Sequence, residues 1–194
     1  DGRRLYTGAG DGTVRTWEAA GGQQLAALAG HEGRVAACAV SADGTIAVTA
    51  GWDGTLRAWA IETPGSLGVL EVTGSPLLAC AAATGGMVVA GGVDGALHAV
   101  VPPAVSGAGQ AGWSHRASER GSGISAVAVT PDGTAAACGH ADGTVTRWDL
   151  RALPPRRAAV VGLHADIVFT ASFTPDGATL LTGDGLGVLR SWDW

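Results

Sequence analysis

The pattern Asp-Gly-Thr-(Val/Leu)-x-x-Trp stands at residues 11–17, 53–59 and 142–148, and no other feature restricts the fold as much. Asp-Gly closes tight hairpin turns because glycine reaches positive φ without a Cβ penalty. Two weaker copies extend the series. Asp94-Gly95-Ala96-Leu97-His98-Ala99-Val100 keeps the turn and loses the tryptophan, whereas Leu186-Gly187-Val188-Leu189-Arg190-Ser191-Trp192 keeps the tryptophan and loses the aspartate. Equivalent last positions therefore fall at 17, 59, 100, 148 and 192, at intervals of 41 to 48 residues. Self-similarity at such a period means one supersecondary unit repeated, each copy burying a face it cannot bury alone.

A second turn recurs upstream of the first, as Ser41-Ala42-Asp43-Gly44, Thr130-Pro131-Asp132-Gly133 and Thr174-Pro175-Asp176-Gly177. Turn signals every ten or so residues, separated by short apolar segments, predict antiparallel strands. The segments ahead of the second turn, such as Ala126-Val127-Ala128-Val129 and Ala79-Cys80-Ala81-Ala82-Ala83, are rich in small residues. Small side chains suit the innermost strands of a radial array, which crowd together near the axis. Two pieces interrupt the rhythm, 101–112 and 153–157, and both read as surface loops with Pro-Pro pairs.

With these motifs the chain resembles the tryptophan-aspartate (WD) repeat family along essentially its whole length. Gly30-His31 matches the family's Gly-His, and Trp148-Asp149 and Trp192-Asp193 match its closing dipeptide, which has drifted to Trp17-Glu18 and Trp59-Ala60 elsewhere. The resemblance implies an all-β fold, a β-propeller of four-stranded antiparallel blades with about five repeat units. The expected division is a partial blade at 1–30, blades at about 31–75, 76–120 and 121–163, and a partial blade at 164–194. Both partial blades carry the same middle strands, so they duplicate each other instead of closing a ring. The expectation is an incomplete ring, either a piece of a longer propeller or a chain that self-associates through open edges.

In the second unit His31, Thr49, Asp53 and Trp59 stand where the resembled family builds a hydrogen-bonded network inside each blade. The same residue types imitate a hydroxyl–His–Asp triad. The structural reading is favoured, because the set recurs in decayed form: Asp11 and Trp17 in the first unit, Asp142 and Trp148 with Cys138 in the fourth, and His164, Thr182 and Trp192 in the fifth. On this reading the fourth unit lacks a histidine and the fifth lacks an aspartate. Trp52, Trp113 and Trp194 are off the repeat pattern and are the better interface candidates. Trp52, Arg34 and His140 are expected on one loop face that would contact a partner.

Composition removes other functions. All twelve basic residues are arginines, so a Walker-type phosphate loop and a Schiff-base lysine are both excluded. Net charge is −5 and the bases are scattered, which argues against nucleic acid. Cys38, Cys80 and Cys138 form no Cys-x-x-Cys pair. No metal-binding or nucleophile-elbow motif is present, and no apolar run spans a bilayer. The expectation is a scaffold or adaptor that binds proteins or peptides, with no catalytic residue, metal or cofactor and no membrane contact, in an intracellular, cytoplasmic setting. The rival readings are the sensor portion of a larger signalling protein and a propeller enzyme with a site in its central channel.

Overall fold

The computed structural model describes residues 2–41, 44–61, 65–82, 86–101, 114–117, 121–152 and 154–194, the side chains of 65, 66 and 114–117 excepted. Asp43, Trp113 and all but Val101 of the 101–112 loop thus lie outside the described residues.

Five antiparallel sheets follow one another along the chain. The first has three strands, β1 (Arg4–Gly8), β2 (Thr13–Glu18) and β3 (Gln24–Ala29). The second has four, β4 (Val35–Val40), β5 (Ile46–Gly51), β6 (Thr55–Ala60) and β7 (Gly65–Glu71). The third comprises β8 (Leu77–Ala82), β9 (Val88–Gly92), β10 (Leu97–Val101) and β11 (Ser114–Ala117), and the fourth β12 (Ile124–Val129), β13 (Ala135–His140), β14 (Thr144–Asp149) and β15 (Arg156–Leu163). The last has β16 (Val168–Phe173), β17 (Thr179–Asp184) and β18 (Leu189–Asp193). Every sheet is a meander in which consecutive strands pair. The sheets stack in order and do not close a ring, which makes the molecule an incomplete β-propeller.

The Asp-Gly turns do what the sequence demands of them. Gly54, at φ +75°, closes the β5–β6 hairpin, and a Cβ there would overlap the Thr73 carbonyl oxygen, so neither its backbone conformation nor its space admits a side chain. Behind these turns the first strands lie side by side, β4 against β8, β8 against β12 and β12 against β16, and β4, β8 and β12 are rich in alanine. Their small side chains permit that crowding.

A bulge opens each of these first strands, between Val35 and Ala37, Leu77 and Ala79, Ile124 and Ala126, and Val168 and Thr170. Bulges re-aim the side chain beside them. Here they turn Val35, Leu77, Ile124 and Val168 onto the preceding sheet, where a Cβ on Gly8, Gly91 or Gly139 would overlap Val35, Ile124 or Val168 respectively. Ala50 takes the corresponding place opposite Leu77, within one buried cluster. The exception has a physical reason: Leu branches at Cγ and leaves room near its own Cβ, whereas Val and Ile branch at Cβ and require glycine opposite them.

Candidate functional site

In the second sheet the His31 Nδ1–H donates to Asp53 Oδ2 at 3.0 Å, and His31 Nε2 accepts from the Thr49 hydroxyl at 2.8 Å. Trp59 Nε1 donates to the same hydroxyl oxygen at 2.9 Å. Asp53 also accepts from the Glu32 amide and from the amide and hydroxyl of Thr55. Every polar atom of this chain of contacts has a partner, as burial requires. Thr49 is wholly buried and its oxygen already faces an indole N–H, so no substrate reaches the one hydroxyl that a triad would use as nucleophile.

The fifth sheet carries the same network. His164 receives the Thr182 hydroxyl at 2.7 Å and donates to Asp184 at 3.0 Å, while Trp192 Nε1 donates to Thr182 at 2.7 Å. The aspartate expected to be missing is therefore supplied two positions earlier, by Asp184 at the end of β17. Val188 and Leu186 amides also donate to it.

The fourth sheet corrects two expectations together. His140 is buried and makes no part of a loop-face contact surface; its Nδ1–H donates to the Ser122 carbonyl at 3.0 Å and its Nε2 accepts from the Thr146 hydroxyl at 2.7 Å. Trp148 Nε1 donates to Thr146 at 2.8 Å. This unit does have its histidine and its hydroxyl, but the first comes from the end of β13 and the second from β14. Asp142 stays out of the imidazole contact and holds the turn through Thr144. Cys138 fills the position of Thr49, and burial pushes its thiol far above the ordinary value.

In the third sheet His98 Nε2 donates to Asp94 Oδ2 at 3.0 Å, so an imidazole–carboxylate pair survives without a tryptophan. In the first, Trp17 donates to Thr7 at 2.8 Å, and Asp11 is held well below the ordinary carboxylate range by the hydroxyl of Thr13, the guanidinium of Arg15 and the Thr13 amide. Sequence reasoning missed His98, Thr146 and Asp184. The signal that could have found them is a histidine, threonine or aspartate at positions that alternate with the expected ones across adjacent strands.

His31, Asp53 and Asp184 make stability fall in acid. Desolvation holds His31 below the ordinary imidazole value of 6.5, outweighing the attraction of Asp53. For Asp53 burial alone would raise the carboxyl, but the bonds from Thr55, Glu32 and His31 together hold it below 3.8; the Val188 amide heads the causes that do the same for Asp184. In both residue types the unfolded chain takes up protons that the folded one refuses, so stability is full above about pH 7 and declines as pH falls, first through the histidine range and then through the carboxylate range. Thermal midpoints measured from pH 8 to pH 3 should drop in that order, and His31→Gln should flatten the first decline. A midpoint that rises on acidification to pH 5 would contradict the arrangement.

Trp52 and Arg34, both expected on one loop face, lie side by side. Trp52 is 49 % exposed, its amide bonds to the Arg34 carbonyl, and the Arg34 guanidinium lies 5.5 Å from the ring centroid. Val93 occupies the equivalent place on the third sheet and is also exposed. Trp194, by contrast, is half-buried and packs edge-on to Phe173 at 4.7 Å with Arg147 over its ring. Among the described residues no group of three or more His, Cys, Asp or Glu side chains could hold a metal, and no helix is long and apolar enough to cross a membrane.

A stack of small antiparallel sheets, each carrying a hydrogen bond from a hydroxyl, imidazole or indole side chain, defines a repeat protein of the propeller class. The family model described as WD domain, G-beta repeat matches residues 22–60 and 114–149, which marks these two stretches as WD repeats. Repeats of this family generally mediate protein–protein interaction. Compared with curated proteins, the chain has no match.

Proposed function

We propose that this chain is a scaffold or adaptor module that binds a protein or peptide on the loop face bearing Trp52 and Arg34. The observation that carries the reading is Trp52 itself. An indole left half in water forfeits hydrophobic stabilisation that burial would provide, and here the position directly precedes a turn that rigid strands hold in place. Tryptophan and arginine are the side chains most enriched among residues that dominate binding energy. Arg34 keeps its guanidinium against the ring, which limits the side-chain ordering still to be lost on association.

Trp52→Ala should weaken binding of a captured partner by about 30-fold or more, the effect of losing a dominant anchor, while leaving the thermal midpoint within about 1 °C of the parent. The measurement is titration of a partner retained by the immobilised parent protein, run beside a melting curve of each form. Unchanged affinity would remove Trp52 from the contact. A matching loss of stability would make it a packing residue.

A further inference from the structure

Every sheet from the first to the fourth presents a socket at one place on its second or, in the first sheet, its leading strand: Gly8, Ala50, Gly91 and Gly139. Each socket holds the bulge-directed residue of the sheet that follows, Val35, Leu77, Ile124 and Val168 in turn. Gly183 stands at the same place in the fifth sheet. Among the described residues a Cβ on it would meet only Thr170 Cγ2 at 2.9 Å and Leu189 Cδ2 at 3.0 Å, both within its own sheet, and none from another sheet is seated there.

The surroundings of Gly183 repeat the same comparison. Val14, Leu56, Leu97 and Val145 are fully buried against the next sheet, whereas Leu189, their equivalent, is 79 % exposed. Val48, Val89 and Ala137 are buried, whereas their equivalent Leu181 is 49 % exposed. A monomer seldom leaves such a row of large aliphatic side chains in water. We infer that the outward face of the fifth sheet is a seat for one more propeller blade, whose first strand opens with a bulged valine or isoleucine set against Gly183.

The glycine selects that chemistry. Where the incoming residue branches at Cβ the chain uses glycine, and where it is leucine the chain uses alanine, so Gly183 fits the β-branched class. A second copy of this chain is a poor occupant, since Val35, Leu77, Ile124 and Val168 are all already seated and none can enter the Gly183 socket without opening an existing interface. The partner is therefore a blade that brings its own first strand. The inference is independent of Trp52, which lies on the second sheet.

The test extends the intact chain by a second copy of residues 151–194 placed after Trp194. The added Val168 then lies as far from Trp192 as Val168 lies from Trp148. If the face seats a blade, the added segment resists protease at least about tenfold longer than an unfolded tail, and the thermal midpoint rises by several degrees, the scale of a few kcal/mol of new burial. Val168→Asp in the added copy alone, or Gly183→Val in the original sheet alone, should each return the added segment to rapid cleavage. Gly183→Val in the 194-residue chain should melt with the parent, because the atoms it meets are side-chain ends free to shift. Rapid cleavage of the unmodified extension, or equal protection in both variants, overturns the inference. So does a dimer of the 194-residue chain that Gly183→Val dissociates, which would assign the face to a second copy.

Discussion

Trp59→Ala is expected to destabilise the protein by about 3–5 kcal/mol, the range for truncating a large core aromatic. Trp59 is 2 % exposed and packs with Val14, Val35 and Ala47, so its ring joins the first two sheets as well as filling the second. It also meets Gly30, where a Cβ would come within 3.1 Å of Trp59 Cη2. The substitution leaves a cavity that strands fixed by hydrogen bonds on both sides cannot collapse into. It removes the indole N–H from Thr49 as well, yet that hydroxyl still donates to His31, so no buried donor is orphaned and the loss is one of packing. Urea unfolding should show a lower midpoint at unchanged slope. A change below about 0.5 kcal/mol, the size typical of surface substitutions, would contradict the placement of Trp59.

The second large effect is expected at Thr146→Val. The two side chains have nearly the same shape, so the substitution deletes a hydroxyl with little change of volume. His140 Nε2 loses its donor and Trp148 Nε1 loses its acceptor in one step, inside a buried site. With each orphaned buried group costing about 1–3 kcal/mol, the loss should be on the order of 3 kcal/mol. Cys138 faces Thr146 across the β13–β14 pair, at the position where the second sheet carries Thr49. Cys138→Thr added to Thr146→Val should therefore restore a hydroxyl to the indole and recover at least half of the loss. Denaturant unfolding of both single variants and the double variant measures the coupling. A double variant no more stable than Thr146→Val would show that the networks of the two sheets are not interchangeable.

That interchange explains which parts of the site could be read in advance. In the second sheet each residue type stands at its expected position, and His31, Thr49, Asp53 and Trp59 were all legible. Elsewhere the same space is filled from different positions. His140 and Asp184 both occupy the place that corresponds to Gly51, and a Cβ on Gly51 would land on His31 Nδ1 and Asp53 Oδ1. A side chain from that position thus enters the space where imidazole meets carboxylate, so a histidine or an aspartate there can replace the partner lost from its usual place. His98 and Thr146 do the same from the position of Arg57. Periodicity alone does not reveal such exchanges, because it compares residues in register while the hydrogen bonds compare points in space.

The sequence by itself determined the turns, the strand period and the number of units, since Asp-Gly acts through local backbone preference and the spacing of the copies is a property of the chain alone. It also set Trp52 off the repeat, while its contact with Arg34 belongs to the folded chain. Tertiary structure decided that His140 is buried, that Trp194 packs against Phe173, and that Asp184, Thr146 and His98 complete networks the sequence left open. It alone decided that Gly8, Gly91 and Gly139 are filled by the next sheet while Gly183 is not. Burial and socket occupancy belong to pairs of sheets, and no local signal in either partner states whether the other is present.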